Sequence, residues 1–200
     1  MNGDAVGGGR VPQTASILPR LTNRSNSGGV VTGVSWWMGG NASFGSAVSL
    51  AGVIDGTSDT AAFGERVKGN DGRDSSGPNL VHVISSHADG GPDGDDRACR
   101  ASAAPNWDFK GEYWTLQDSG RGGPYYHVLA PDRRDCATGP GDLDHGAVDT
   151  FIGASSSHPG KVNPLLMDGS VRFIKDGIGQ APWLALGTRA GGETIDAGSF

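Results

Sequence analysis

A serine run, a histidine and an aspartate lie near one another late in the chain, and these residue types perform nucleophilic hydrolysis in many enzymes. Ser155–Ser157 precede His158, and Asp168 follows ten residues later. If the segment between them is extended at ~3.3 Å per residue, the histidine and the aspartate lie about 30 Å apart. No Gly-x-Ser-x-Gly elbow is present either. The pattern therefore favours two turns over a catalytic dyad, and we expect no enzymatic activity.

An acidic segment offers oxygen ligands to a hard cation. Calcium takes several oxygen atoms from one flexible loop, and this segment, which we expect to be a loop, supplies four carboxylates. It lacks the closing glutamate and the spacing of an EF-hand, so a solvated acidic loop is the simpler alternative. We expect no cofactor other than this candidate calcium. The four residues are Asp89, Asp93, Asp95 and Asp96.

The remaining metal-binding patterns are incomplete. Asp142, Asp144, His145 and Asp149 form a second cluster, but a transition-metal site would need another histidine or cysteine nearby. Cys99 and Cys136 belong to no Cys-x-x-Cys or Cys/His cluster, so a zinc site is not expected. Two interpretations of the cysteines stay open: a disulfide in an exported protein, or two separate thiols in a cytosolic one.

Composition limits the elements that can position these residues. Glycine makes up 35 of the 200 residues, against about 7% in ordinary proteins, and its conformational entropy disfavours long helices. The net charge is −6 and the basic residues are scattered, so nucleic acid is not an expected partner. No apolar run spans a bilayer, and Met1–Asp4 is no signal peptide, which taken literally indicates a soluble cytosolic protein.

The pattern of apolar residues and turns predicts a mainly β (α+β) fold. We expect an irregular segment over residues 1–29 and one globular domain over residues 30–200. Turn-rich loops are predicted over 69–78 and 88–97. The predicted strands are Val30–Met38, Thr60–Val67, Val81–Ser85 and Tyr125–Leu129.

The C-terminal third has the strongest local signals. Lys161–Met167 and Ser170–Lys175 flank an Asp-Gly pair, which predicts a β-hairpin whose second strand carries Val171 and Phe173 on one face. Pro182 is expected to open a short helix over residues 183–186, and Gly187 suits its C-terminal cap.

Four segments of the sequence, which we call the landmark segments, carry a recognisable pattern: Ile54–Glu65, Gly122–Cys136, His158–Gly169 and Trp183–Glu193. In the third segment nine residues separate His158 from Asp168 and Gly169, within a C-terminal region over residues 155–193. In this order, the four segments resemble those of a large bacterial family of prepilin-type proteins, the DUF1559 family with the C-terminal H-x9-DG motif. His158, Asp168 and Gly169 match that motif.

The resemblance implies an antiparallel pilin-like sheet with glycine-rich loops, in an exported protein of the cell envelope or cell surface. Family members carry a leader and a long N-terminal helix that this sequence lacks, so an apolar sheet face is expected to lose its cover and to favour self-association. Membrane contact is expected only through that missing helix. The family assigns no catalytic residues, and its three motif residues transfer as markers only. Export favours a disulfide between Cys99 and Cys136.

Three functions remain to be weighed. The first is a non-catalytic, pseudopilin-like structural or display protein whose partners are envelope or pilin-like proteins. The second is an extracellular module that binds a small solute, a glycan or calcium through its loops and aromatic residues. A hydrolase ranks last, because no nucleophile and base have suitable spacing. The aromatic residues in question are Trp107, Trp114, Tyr125 and Tyr126.

Overall fold

The structure, a computed structural model, describes residues 49–69, 80–85, 91–107, 109–113, 127–138 and 150–200. In this part the chain forms a small α+β domain. Its helices are α1 (Gly91–Ala101) and α2 (Gln180–Leu186), with single 3₁₀ turns at Leu50–Gly52 and Ala197–Ser199. Its strands are β1 (Ala61–Phe63), β2 (Val81–Ile84), β3 (Pro105–Trp107), β4 (Asp135–Thr138), β5 (Thr150–Phe151), β6 (Lys161–Val162), β7 (Leu165–Leu166) and β8 (Ile174–Lys175).

The largest sheet has four strands in the order β3-β2-β4-β5. Strand β2 is antiparallel to β3 but parallel to β4, and β4 is antiparallel to β5. Parallel neighbours need a long crossover connection, and the chain between β2 and β4 includes α1. The antiparallel sheet that the resemblance implied is therefore wrong for the β2–β4 pair, whereas the other two pairs of this sheet are antiparallel.

Both faces of the four-stranded sheet are covered by apolar side chains. Side chains alternate between the faces along a strand, and Cys136 and Ala137 of β4 belong to different apolar clusters. Cys136 packs with Cys99 of α1 on one face, whereas Ala137 packs with Ile152 on the other. Strand β4 is buried along its whole length, so its first residue, Asp135, begins inside the domain.

The predicted C-terminal hairpin is confirmed. Strand β6 pairs with β8, and an isolated bridge joins Leu165 to Val171. Gly169 has a φ of +86°, which a glycine adopts without steric cost at the tight turn. Strand β1 pairs with β7, which belongs to the N-terminal strand of the predicted hairpin. Strand β1 covers only Ala61–Phe63 of the strand predicted over residues 60–67.

Other local predictions meet the structure with mixed results. The strand predicted over residues 81–85 is β2. The loop predicted over 88–97 is wrong for residues 91–97, which belong to α1, and residues 127–129 are bends where the strand over 125–129 was expected. The helix predicted over 183–186 begins at Gln180. The segment 1–29 and the strand predicted over 30–38 lie outside the described residues. Among the described residues, no helix is long and apolar enough to cross a membrane.

Candidate functional site

The Asp168-Gly169 turn is fastened both to itself and to the first landmark segment. The Asp168 carboxylate accepts hydrogen bonds from the Ser170 hydroxyl at 2.6 Å and from the Ser170 amide at 2.8 Å. These bonds, the hydroxyl first, lower the pKa of Asp168. The backbone amides of Met167 and Asp168 donate to the carbonyls of Thr60 and Thr57. The marker aspartate thus serves to shape a turn that docks on residues 57–60.

Asp55 links the first landmark segment to the last. Its carboxylate accepts hydrogen bonds from the amides of Gly191 and Gly192 at 2.7 and 2.9 Å, and it lies 3.0 Å from the Thr188 hydroxyl. In the opposite direction, the amides of Ile54 and Asp55 donate to the carbonyl of Arg189. The first segment therefore contributes a carboxylate and two backbone amides, and the last segment contributes two backbone amides and a carbonyl.

Three carboxyl groups from separate segments form an acidic cluster: Glu65, Asp132 and Asp176. Partial desolvation of the carboxyl group is the main cause that raises the pKa of Asp132 to about 6, and nearby Asp176 and Glu65 raise it further. The Ser156 amide, which donates to Asp132 at 2.8 Å, acts in the opposite direction. Asp132 has a φ of +54°, a conformation that non-glycine residues rarely adopt. The turn at Asp132 thus places its carboxyl group near those of Asp176 and Glu65.

The marker histidine lies at the edge of this acidic cluster. His158 is 61% exposed, and its Nε2 is 4.0 Å from a Glu65 carboxylate oxygen. The other Glu65 oxygen accepts hydrogen bonds from the backbone and side-chain amides of Asn163 at 2.7 and 2.8 Å. Glu65 therefore connects the first landmark segment to the arm that follows His158, and the histidine itself makes only a long, solvated contact.

A second histidine is fully buried. The ring of His127 stacks on Trp183 of α2 with the ring centroids 3.6 Å apart, and burial lowers the pKa of His127 to about 3. A Cβ atom on Gly187 would lie 2.9 Å from Cδ2 of His127. Gly187 has a φ of −83°, so glycine is required here by the close approach of the imidazole and not by a left-handed backbone. The second and fourth landmark segments meet at this stack.

A buried ion pair lies against the four-stranded sheet. Lys110 Nζ is 2.5 Å from Asp135 Oδ2, and the two side chains are only 2% and 3% exposed. The other carboxylate oxygen of Asp135 accepts the Gly153 amide at 2.8 Å. The scattered basic residues of the sequence gave no signal for this pair, because its partners are 25 residues apart.

Three of the four candidate calcium ligands lie on a helix and not in the expected loop. Asp89 lies outside the described residues, while Asp93, Asp95 and Asp96 are on α1. Asp95 and Asp96 are buried, and Asp96 pairs with Arg100 at 2.7 Å. Among the described residues, no group of three or more His, Cys, Asp or Glu side chains is placed to hold a metal ion. Calcium binding stays a prediction.

The two cysteines form a disulfide, as the resemblance implied. The bond joins α1 to β4, with Cys99 and Cys136 separated by 37 residues. The aromatic residues of the binding-module alternative lie largely elsewhere: Trp114, Tyr125 and Tyr126 are outside the described residues, and only the backbone of Trp107 is described, in β3. The second acidic segment, residues 142–149, also lies outside the described residues.

The fold and these contacts define a small, disulfide-linked α+β domain whose landmark segments contact one another. The comparison with protein-family models identifies it further. The chain belongs to the family described as protein of unknown function (DUF1559), whose model matches residues 5–181. No curated protein and no solved structure gives a significant match.

Proposed function

We propose that this chain is the globular part of an exported, pseudopilin-like envelope protein with a structural or display role and no catalytic activity. The observation that carries the proposal is the use of the landmark segments as contacts with each other. Asp55 binds the Gly191-Gly192 segment, the Asp168 turn docks on residues 57–60, and Glu65 binds Asn163. Residues that bind other parts of the same domain stabilise its fold, and this role requires no substrate.

The disulfide supports export. Disulfides persist in oxidising compartments and are rare in the cytosol, where thiols are kept reduced. Both half-cystines are buried, at 1% exposure for Cys99 and 0% for Cys136. A buried bridge of this kind is suited to a permanent structural link and not to a catalytic exchange with other thiols, which requires access.

An exposed apolar stripe supplies a surface for assembly. Directly opposed residues of antiparallel strands present their side chains on the same face, and Phe63 opposes Leu165, which in turn opposes Val171. Phe173 follows two residues later on that face. Phe63, Val171 and Phe173 are 49%, 60% and 63% exposed. Exposed apolar clusters of this kind mark contact surfaces, and here the cluster continues across three strand segments.

The proposal is tested by locating the protein in its source cells, expressed at its normal level with an epitope tag. We expect the wild type in the envelope fraction, accessible to protease added to intact cells, with Cys99 and Cys136 unreactive towards alkylating agents until reductant is added. Replacing two members of the stripe, Val171→Asp and Phe173→Asp, should release the protein from envelope partners into the soluble fraction.

The control is a charge placed on an exposed apolar residue outside the stripe. Ile54 is 77% exposed, and Ile54→Asp should leave the protein in the envelope. Melting temperatures of the purified variants establish that each one is folded. A wild-type protein found in the cytosol with free thiols would contradict export, and release by the Ile54 variant to the same extent would contradict the assignment of the stripe.

A further inference from the structure

We propose that Lys110 and Asp135 become joined by an intramolecular amide bond between the lysine Nζ and the aspartate Cγ. Asp135 lies in the second landmark segment and Lys110 lies outside the landmark segments, and the modification does not depend on the proposed function. The starting point is the buried contact in which Nζ lies 2.5 Å from Oδ2 of the carboxyl group. Both side chains are almost completely removed from solvent, and the partner atoms approach each other from separate segments, the loop after β3 and the start of β4.

The contact places the nucleophile beside the carboxyl group that it would attack. A bound nucleophile and electrophile held at reacting distance gain a large effective concentration. The third component is the Gly153 amide, which donates a hydrogen bond to Oδ1 at 2.8 Å. A fixed amide donor at that oxygen stabilises the negative charge that develops on it when the carboxyl carbon is attacked. The Asp135 carboxyl group thus has the lysine nitrogen beside Oδ2 and the Gly153 amide donor beside Oδ1.

Burial also favours the neutral product over the ion pair. Two charges removed from water carry a desolvation cost that their attraction often fails to offset. Proton transfer from the ammonium to the carboxylate gives a neutral amine and a neutral acid, and a neutral lysine amine is a nucleophile. Each partner of the ion pair has an apolar neighbour. Val81 is paired with Asp135 across β2 and β4, and Phe109, which precedes Lys110, packs against the same apolar cluster as Val81.

The reaction balances without any other reactant. The Nζ lone pair attacks Cγ, the oxyanion forms on Oδ1 beside the Gly153 amide, and the C–Oδ2 bond then breaks. Oδ2 leaves as water, carrying the proton of the acid and one proton of the amine. The product amide keeps one N–H on Nζ and the carbonyl on Oδ1, which can still accept the Gly153 hydrogen bond. Exclusion of water from the site protects the product from hydrolysis.

The amide would give the start of β4 a second covalent link beside the disulfide. Asp135 is adjacent to Cys136, whose disulfide reaches back to α1. With the amide in place, the start of β4 is tied covalently to residue 110 as well as to residue 99. The two closed loops are nested, and both restrain β4, one of the two central strands of the four-stranded sheet. Such restraint suits a domain that bears load or resists proteases.

The test is the mass of the purified 200-residue chain, measured intact in denaturing buffer with reductant so that the disulfide is open. We expect a mass below the sequence value by one water, about 18 Da. Proteolytic digestion should release a branched peptide that contains both Lys110 and Asp135. Lys110→Met keeps the apolar stem of the side chain and removes the nucleophile, so its mass should equal the value calculated from its sequence.

Dehydration at an Asp-Gly pair also loses one water, but that deficit would persist in Lys110→Met. Lys161→Met is the matched control for the substitution itself: Lys161 lies in β6 outside the site, so this variant should keep the deficit. A wild-type mass equal to the sequence value overturns the proposal, and so does a deficit that persists in Lys110→Met. The wild-type measurement decides the question even if the Lys110 variant fails to fold.

Discussion

At the scale of single residues, the acidic side chains of this domain act mainly on the backbone. Asp55 holds two glycine amides, Asp132 holds the Ser156 amide, and Asp168 holds the Ser170 amide. A charged acceptor strengthens such bonds by about a factor of two over neutral ones. The environments of these carboxyl groups nevertheless differ. Hydrogen bonds from Ser170 lower the pKa of Asp168, whereas partial burial and the neighbouring Asp176 and Glu65 raise the pKa of Asp132.

Asp132→Asn should stabilise the domain at neutral pH. The folded-state pKa of Asp132 is about 6, above the ordinary value of 3.8. The folded state therefore binds more protons than the unfolded state between these values, and stability is lost as the pH rises through 6. Asparagine accepts the Ser156 amide, tolerates the positive φ and carries no charge. We expect a higher melting temperature for the variant at pH 7.5 and no difference from wild type below pH 4.

The control for this prediction is Asp168→Asn, where the effect has the opposite sign. Hydrogen bonds from Ser170 lower the pKa of Asp168, so its charged form stabilises the fold above the ordinary pKa of an aspartate. The asparagine variant should melt at a lower temperature than wild type at pH 7.5. A gain from both substitutions would indicate a general relief of the net negative charge and would contradict the role of the acidic cluster.

At the scale of elements, α1 shows where local composition misleads. Its sequence contains Gly91, Pro92 and Gly94, which favour turns, and a loop was predicted. Proline is tolerated in the first turn of a helix, and Asp93 near the N-terminus and Arg100 near the C-terminus suit the helix dipole. The long-range bond of Cys99 to the sheet adds a stabilising contact that a window of neighbouring residues cannot reveal.

Helix α2 was predicted because its signals are local, but the reason for its terminal glycine is tertiary. Gly187→Ala should destabilise the domain by about 1–3 kcal/mol, the usual cost of overpacking, because the new Cβ would lie 2.9 Å from the buried His127 ring. That ring is stacked on Trp183 and has little room to move. Chemical denaturation of the purified variant measures the loss.

Gly177→Ala is the matched control. A Cβ atom at Gly177 would meet no heavy atom within 4 Å, and the residue is exposed. Its effect on the free energy of unfolding should be close to zero. If the two glycines proved equally tolerant, the packing of His127 against the end of α2 would be looser than the structure indicates.

At the scale of the whole molecule, the sequence predicted the hairpin, β2 and the short C-terminal helix. It did not predict which side chains join distant segments of the chain. Glu65 binds Asn163, which lies 98 residues later in the chain, and Asp135 binds Lys110, which lies 25 residues earlier. Such pairs depend on how the sheets are assembled, and no short-range period or spacing encodes them. The parallel β2–β4 pair was missed for the same reason.

The disulfide is the covalent link whose effect on the whole molecule can be tested directly. Closing a loop between residues 37 apart restricts the unfolded chain, and the chain-entropy model gives about 3–4 kcal/mol for such a loop. We therefore expect Cys99→Ala/Cys136→Ala to reduce the free energy of unfolding by that amount, measured by chemical denaturation. The control is reductant: it should lower the stability of the wild type and leave the double variant unchanged. Equal stability of oxidised wild type and double variant would mean that the sheet and α1 hold their positions without the bridge.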